Sequence, residues 1–146
     1  MIICEGFMEE AEGYVLRIAS KEWVDQVFSI ATYYTSLPRK WKQGQTIVFL
    51  SKTDVGDAVV GYGVIQNAYE KDELSEAEKK QCELHGWKKA IEFGYVVRFD
   101  KPLLVKETFF KNTKLRGRCF HGYALSREQL EAIIAQAEKL QSQASH

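Results

Sequence analysis

A chain of 146 residues, 45% hydrophobic and 27% charged, has the size and composition of one domain with a real core. Its 20 basic and 20 acidic side chains cancel, which excludes a domain whose whole surface clamps a phosphate backbone. The composition is not that of a disordered chain, and no apolar run approaches the ~20 residues of a membrane helix.

The first residues, MIICEGFMEEAEG, turn acidic after three apolar positions, unlike the basic start and longer apolar core of a secretory leader. The expectation is a cytoplasmic, single-domain protein over residues 1–146. The three cysteines, Cys4, Cys82 and Cys119, lack disulfide-like spacing and are expected as reduced thiols.

Taken in chain order, YVLRIA at 14–19 reads as a strand. Ser20 then caps a helix on which Trp23, Val24, Val27 and Phe28 fall at helical spacing. Residues 31–45, with Pro38 and Gly44 and rich in aromatics and bases, read as a loop. TIVFLS at 46–51 and DAVVGYGVIQNAYE at 57–70 read as two strands around the turn signal KTDVGD. Gly61 and Gly63 share one face of the second, where they permit a bulge, curvature or close backbone approach.

Ser75 with Glu78 forms a capping box for a polar helix that Gly86 ends. Strands follow at 90–99 and 103–105, split by a turn at 100–102, and another is expected over 118–125. A last helix opens on Ser126 and Gln129 and carries the stripe Leu130, Ile133, Ile134, Ala137, Leu140. The order β–α–β–β–α–β–β–β–α predicts an α+β fold, a small mixed barrel with peripheral helices.

The ordering of a first strand, SKEWV opening a helix, KQGQTIVFLS, DAVVGYGVI, and a basic LRGRCFHGYALS leading into a capped helix resembles the PUA-like superfamily. The likeness is strongest to the EVE type, runs over roughly residues 13–135, and suggests an archaeal branch. It implies a β-pseudobarrel with a cleft. Relatives use such clefts for RNA or a modified base, YTH-type relatives hold a methylated base in an aromatic cage, and some ASCH-type relatives are amidohydrolases acting on modified nucleosides. Gln45 stands where that pattern commonly has Asp after the glycine, and residues 66–95 do not map readily.

Three chemistries compete for KLRGRCFHGY at 114–123. Cys82, His85, Cys119 and His121 have the number and type of donors of a structural zinc site. Their spacing departs from the usual knuckles, however, and Cys82 and Cys119 read better as small buried hydrophobes. Cys119 beside His121 has no evident orienting group for thiolate catalysis. The amidohydrolase alternative rests on Lys52 and Thr53, and predicts product formation abolished by Lys52→Ala.

The groove reading is preferred. Positions 101–127 carry seven bases and one acid, as expected of a face that meets an anion. Strand alternation puts Arg116, Arg118, Phe120 and Gly122 on one face and Gly117, Cys119, His121 and Tyr123 on the other, and a second cluster, Arg39, Lys40 and Trp41, supplies a facing wall. Lys114, Arg116 and Arg118 are expected on phosphates and Trp41 or Tyr123 on a base, with Lys52 and His121 as further ligand-binding candidates. For any single aromatic, a place in the core is the competing reading. The expectation is therefore a domain that binds RNA or a modified nucleobase or nucleoside, without cofactor, metal or membrane. A protein-interaction domain, such as a homodimer formed through the last helix face, is a further alternative.

Overall fold

The computed structural model describes residues 11–37, 39–112 and 120–143. Six strands form one open mixed sheet in the order β2-β5-β4-β3-β1-β6. They are β1 (Gly13–Ile18), β2 (Thr32–Thr35), β3 (Thr46–Thr53), β4 (Gly56–Glu70), β5 (Lys89–Leu104) and β6 (Ala124–Leu125). The helices are α1 (Lys21–Ile30), α2 (Glu76–His85) and α3 (Arg127–Gln143). β1 and β3 run parallel, and every other pairing is antiparallel.

The near-continuous apolar sequence of β3 follows from burial on both faces. Ile47 and Phe49 join Leu16 and Ile18 of β1, Val24 and Val27 of α1, and Phe93 of β5 in one cluster. Val48 and Leu50 join Val15, Phe99, Leu130 and Ile133 in the other. Leu130, Ile133 and Ala137 of the α3 stripe are thus buried within the chain, and Leu140 packs against the same cluster.

The caps read from sequence are present. Ser20 Oγ accepts from Trp23 N–H (3.2 Å), Ser75 Oγ from Glu78 N–H (3.3 Å) and Ser126 Oγ from Gln129 N–H (3.2 Å). Gly86 closes α2 in the left-handed region at φ 75°.

Three expectations are corrected. Residues 32–35, assigned to a loop, are the edge strand β2, whose one sheet partner among the described residues is β5. The expected turn at 100–102 is a register jump inside the continuous β5: Leu103 pairs with Val59, while Arg98 pairs with Gly61. The strand expected over 118–125 shortens to Ala124–Leu125 among the described residues. Phe120 and His121 lie in a tight turn that bonds to β1, where Gly122 N–H donates to Val15 C=O (2.7 Å) and Val15 N–H to Tyr123 C=O (2.8 Å). Gly122 at φ 83° makes that turn, and a glycine in the left-handed region ends an extended run.

Candidate functional site

Two adjoining cavities, about 180 and 260 Å³, share Trp23, Gln26, Tyr34 and Trp87. Trp23 stands on the first turn of α1, Tyr34 on the edge strand β2, and Trp87 between the Gly86 cap of α2 and the start of β5. The smaller cavity lies between the end of β1 (Ile18, then Ala19) and β2; the larger reaches Glu78 and Gln81 on α2.

The rings form a right-angled corner. Trp87 stacks on Tyr34 (5.2 Å between centroids, 16° between planes) and on His85 (4.3 Å, 24°). Trp23 meets Trp87 at 84° and His85 at 86°. His85 is exposed, so a planar heteroaromatic ring already lies on Trp87 in the arrangement a base would take.

Hydrogen-bonding groups border the corner. Tyr34 O–H donates to Glu78 Oε2 (2.9 Å), and Ser75 O–H donates to Oε1 of the same carboxylate (2.9 Å). Burial, with the Glu78 carboxylate second, pushes the Tyr34 phenol up to about 12; burial alone does the same for Tyr33. On the β5 side of the edge strand, Phe93 N–H donates to Ala31 C=O (2.8 Å). In the alternation of an antiparallel ladder, Tyr33 keeps its peptide groups toward β5, while Thr32 and Tyr34 turn theirs to the open edge beside the smaller cavity.

The residues nominated from sequence divide differently. Trp41 is only 8% exposed and packs edge-on against Tyr14 at 5.2 Å. It is a core residue, which corrects its expected place on a groove wall. Tyr123 is half-buried against Phe110 (5.8 Å), and Phe120 is buried beside the same ring (5.0 Å). Arg39 and the 120–123 turn do meet: Arg39 Nη2 donates to Gly122 C=O (2.9 Å), and its guanidinium lies 5.5 Å from the Tyr14 ring centre. Lys40 is exposed. Lys52 is exposed at the β3–β4 hairpin, where the Thr53 hydroxyl is held by the turn, donating to Gly56 C=O (2.6 Å). Lys114, Arg116, Arg118 and Cys119 lie outside the described residues.

His121 accepts at Nδ1 from Arg17 N–H (3.0 Å), while Arg17 clasps Asp57 by two hydrogen bonds (3.1 and 3.2 Å). Cys82 is fully buried. Among the described residues no three His, Cys, Asp or Glu side chains are grouped to hold a metal.

Burial first, and the Arg17 charge second, hold His121 below the ordinary histidine value of 6.5. A depressed histidine favours the folded state while neutral. Its contribution is whole above pH ~6.5 and is lost as pH falls from there through the lowered value. Denaturant titrations at pH 7.5 and pH 5 are expected to show the loss, and His121→Gln is expected to reduce the difference. An unchanged pH dependence in the variant would remove His121 as its source.

No protein-family model matches the chain, and no curated protein matches it. Solved structures do. The ASCH protein of Zymomonas mobilis superposes with a TM-score of 0.55 over 83% of this chain and 92% of that one, at 13% identity. A tyrosine-to-phenylalanine variant of the same protein gives 0.54, again at 13% identity, over 83% of this chain and 95% of that one. The fold is therefore the PUA-like one of ASCH domains, as the order of elements in the sequence implied. Trp87 escaped the sequence reading because it belongs to no periodic element; the signal it gave was an aromatic directly after a helix-ending glycine.

Proposed function

We propose that the protein binds RNA, or a modified nucleobase or nucleoside, with one base at the corner of Trp23, Tyr34 and Trp87. The phosphates would be met by Lys40 and by the basic stretch containing Lys114, Arg116 and Arg118. Arg39 would serve as the strut that ties residues 39–41 to the turn after that stretch.

The observation that carries the reading is the aromatic corner with cavities against it and an exposed imidazole already stacked on Trp87. Each cavity is smaller than the ~300–1,000 Å³ typical of drug-sized ligands, a scale suited to a base rather than a whole nucleotide. The outward peptide groups of Thr32 and Tyr34 add an acceptor and a donor with which a base edge can pair. The PUA-like fold agrees with this reading by analogy.

The test is fluorescence anisotropy with a mixed-sequence single-stranded RNA. With about three phosphate contacts, affinity is expected to fall roughly 10–30-fold between ~50 and ~200 mM salt. The variant Arg116→Ala/Arg118→Ala is expected to flatten that slope. Absence of binding to RNA and to every nucleoside at the lower salt would refute the proposal.

A further inference from the structure

The aromatic corner has a one-sided charge. Among the described residues, Glu78 is the only charged one lining the larger cavity, and Arg17, committed to Asp57, is the only charged one lining the smaller. Both Glu78 oxygens accept from hydroxyls, which fixes the carboxylate at the cavity wall without neutralising it. The raised phenol of Tyr34 reports the same negative surroundings in part, since Glu78 is among its causes. Around the carboxylate stand two indoles and a phenol, whose electron-rich faces attract cations. A neutral base needs only the flat rings. A fixed carboxylate among them, with no free cation lining either cavity, suits a ring that carries positive charge.

We infer that the preferred ligand is a nucleobase with a delocalised positive charge, such as a purine methylated on a ring nitrogen, held against Trp23, Tyr34 and Trp87 and facing the Glu78 carboxylate. This rests on the base-binding reading above and names the class of base. A planar cation fits better than a quaternary ammonium for two reasons. The Tyr34–Trp87–His85 rings are near-parallel, which suits a flat ligand. The outward peptide groups of β2 also offer hydrogen bonds that a quaternary ammonium cannot use.

The experiment is titration of the full chain, followed by tryptophan fluorescence and calorimetry at one salt concentration. The probes are guanosine and 7-methylguanosine, N6-methyladenosine and 1-methyladenosine, and a trimethyl-lysine peptide. The charged bases are expected to bind roughly tenfold tighter than their neutral counterparts. Glu78→Gln keeps one acceptor oxygen and puts an amide N–H donor in place of the other, to which the Ser75 or Tyr34 hydroxyl oxygen can turn; it is expected to abolish the roughly tenfold preference for charged over neutral bases. Equal binding of charged and neutral bases would overturn the inference and leave the base site standing. Tighter binding of the peptide than of any base would overturn it in favour of a methylammonium ligand. Binding of none of the probes, together with no RNA binding, would refute the base-binding reading itself.

Discussion

Gly61→Ala is expected to destabilise the fold by roughly 2–3 kcal/mol, the upper part of the range for overpacking. At Gly61 an added Cβ would run into the carbonyl oxygen of Val97 on β5 and lie 2.5 Å from the Phe28 ring of α1. A side-chain ring can turn aside, but the carbonyl belongs to the sheet. Both ladders of β4 shift register just before the position, since Gly61 pairs with Phe49 and Arg98 but Val59 with Leu50 and Leu103, and Val60 is left over as a bulge. Here β4 bends and α1 presses onto it. Gly94 supplies the control: it is also inside a strand, yet a Cβ there would meet the Gln66 side chain at 3.6 Å and the Val64 carbonyl oxygen at 3.9 Å, both ordinary contact distances. Thermal unfolding should place Gly61→Ala roughly 6–12 °C below the parent, with Gly94→Ala near it. Similar melting for both would show that β4 has room at Gly61. Phe28→Leu added to Gly61→Ala should recover little, because the obstructing carbonyl remains.

Trp87→Ala is expected to weaken binding of RNA or nucleosides by roughly 10–100-fold, the value of one base–aromatic stack of ~1–3 kcal/mol. Trp87 is half-buried and borders both cavities, whereas Trp41 is in the core. The two tryptophans should therefore fail in different assays. Trp41→Ala should cost roughly 3–5 kcal/mol of stability, as large aromatic deletions in cores do. Trp87→Ala should melt much closer to the parent and lose ligand. Undiminished binding by a folded Trp87→Ala protein would remove the corner as the base site.

What the sequence made legible was local. Ser20, Ser75 with Glu78, and Ser126 with Gln129 announced three helix starts, because a cap needs only residues three apart. TIVFLS announced a strand buried on both faces. β2 was missed because TYYT is half-buried at the sheet edge for most of its length, so its apolar alternation is weak. The run RCFHGYAL looked extended by alternation, but one glycine at φ 83° turns it back onto β1. The site was half legible for a similar reason. Trp23, Tyr33 and Tyr34 were visible as aromatics, but Trp87 reaches Trp23 and Tyr34 only through the packing of α2 and β5. Trp41 looked like a groove residue because of its basic neighbours, and burial, which sequence neighbours do not report, assigned it to the core.

The position of β1 has a consequence for synthesis. It pairs on one side with β3, about 33 residues later, and on the other with Ala124 and Leu125, about 110 residues later. At ~5–20 residues per second, the β6 side of β1 stays without its partner for roughly 5–20 s after β1 is made. During that interval the nascent chain exposes hydrogen-bonding groups next to an apolar strand, a template for pairing with another chain. Slowing translation ahead of residue 124 should therefore lower the soluble yield more than slowing it after residue 130, once the β6 partner of β1 has been made.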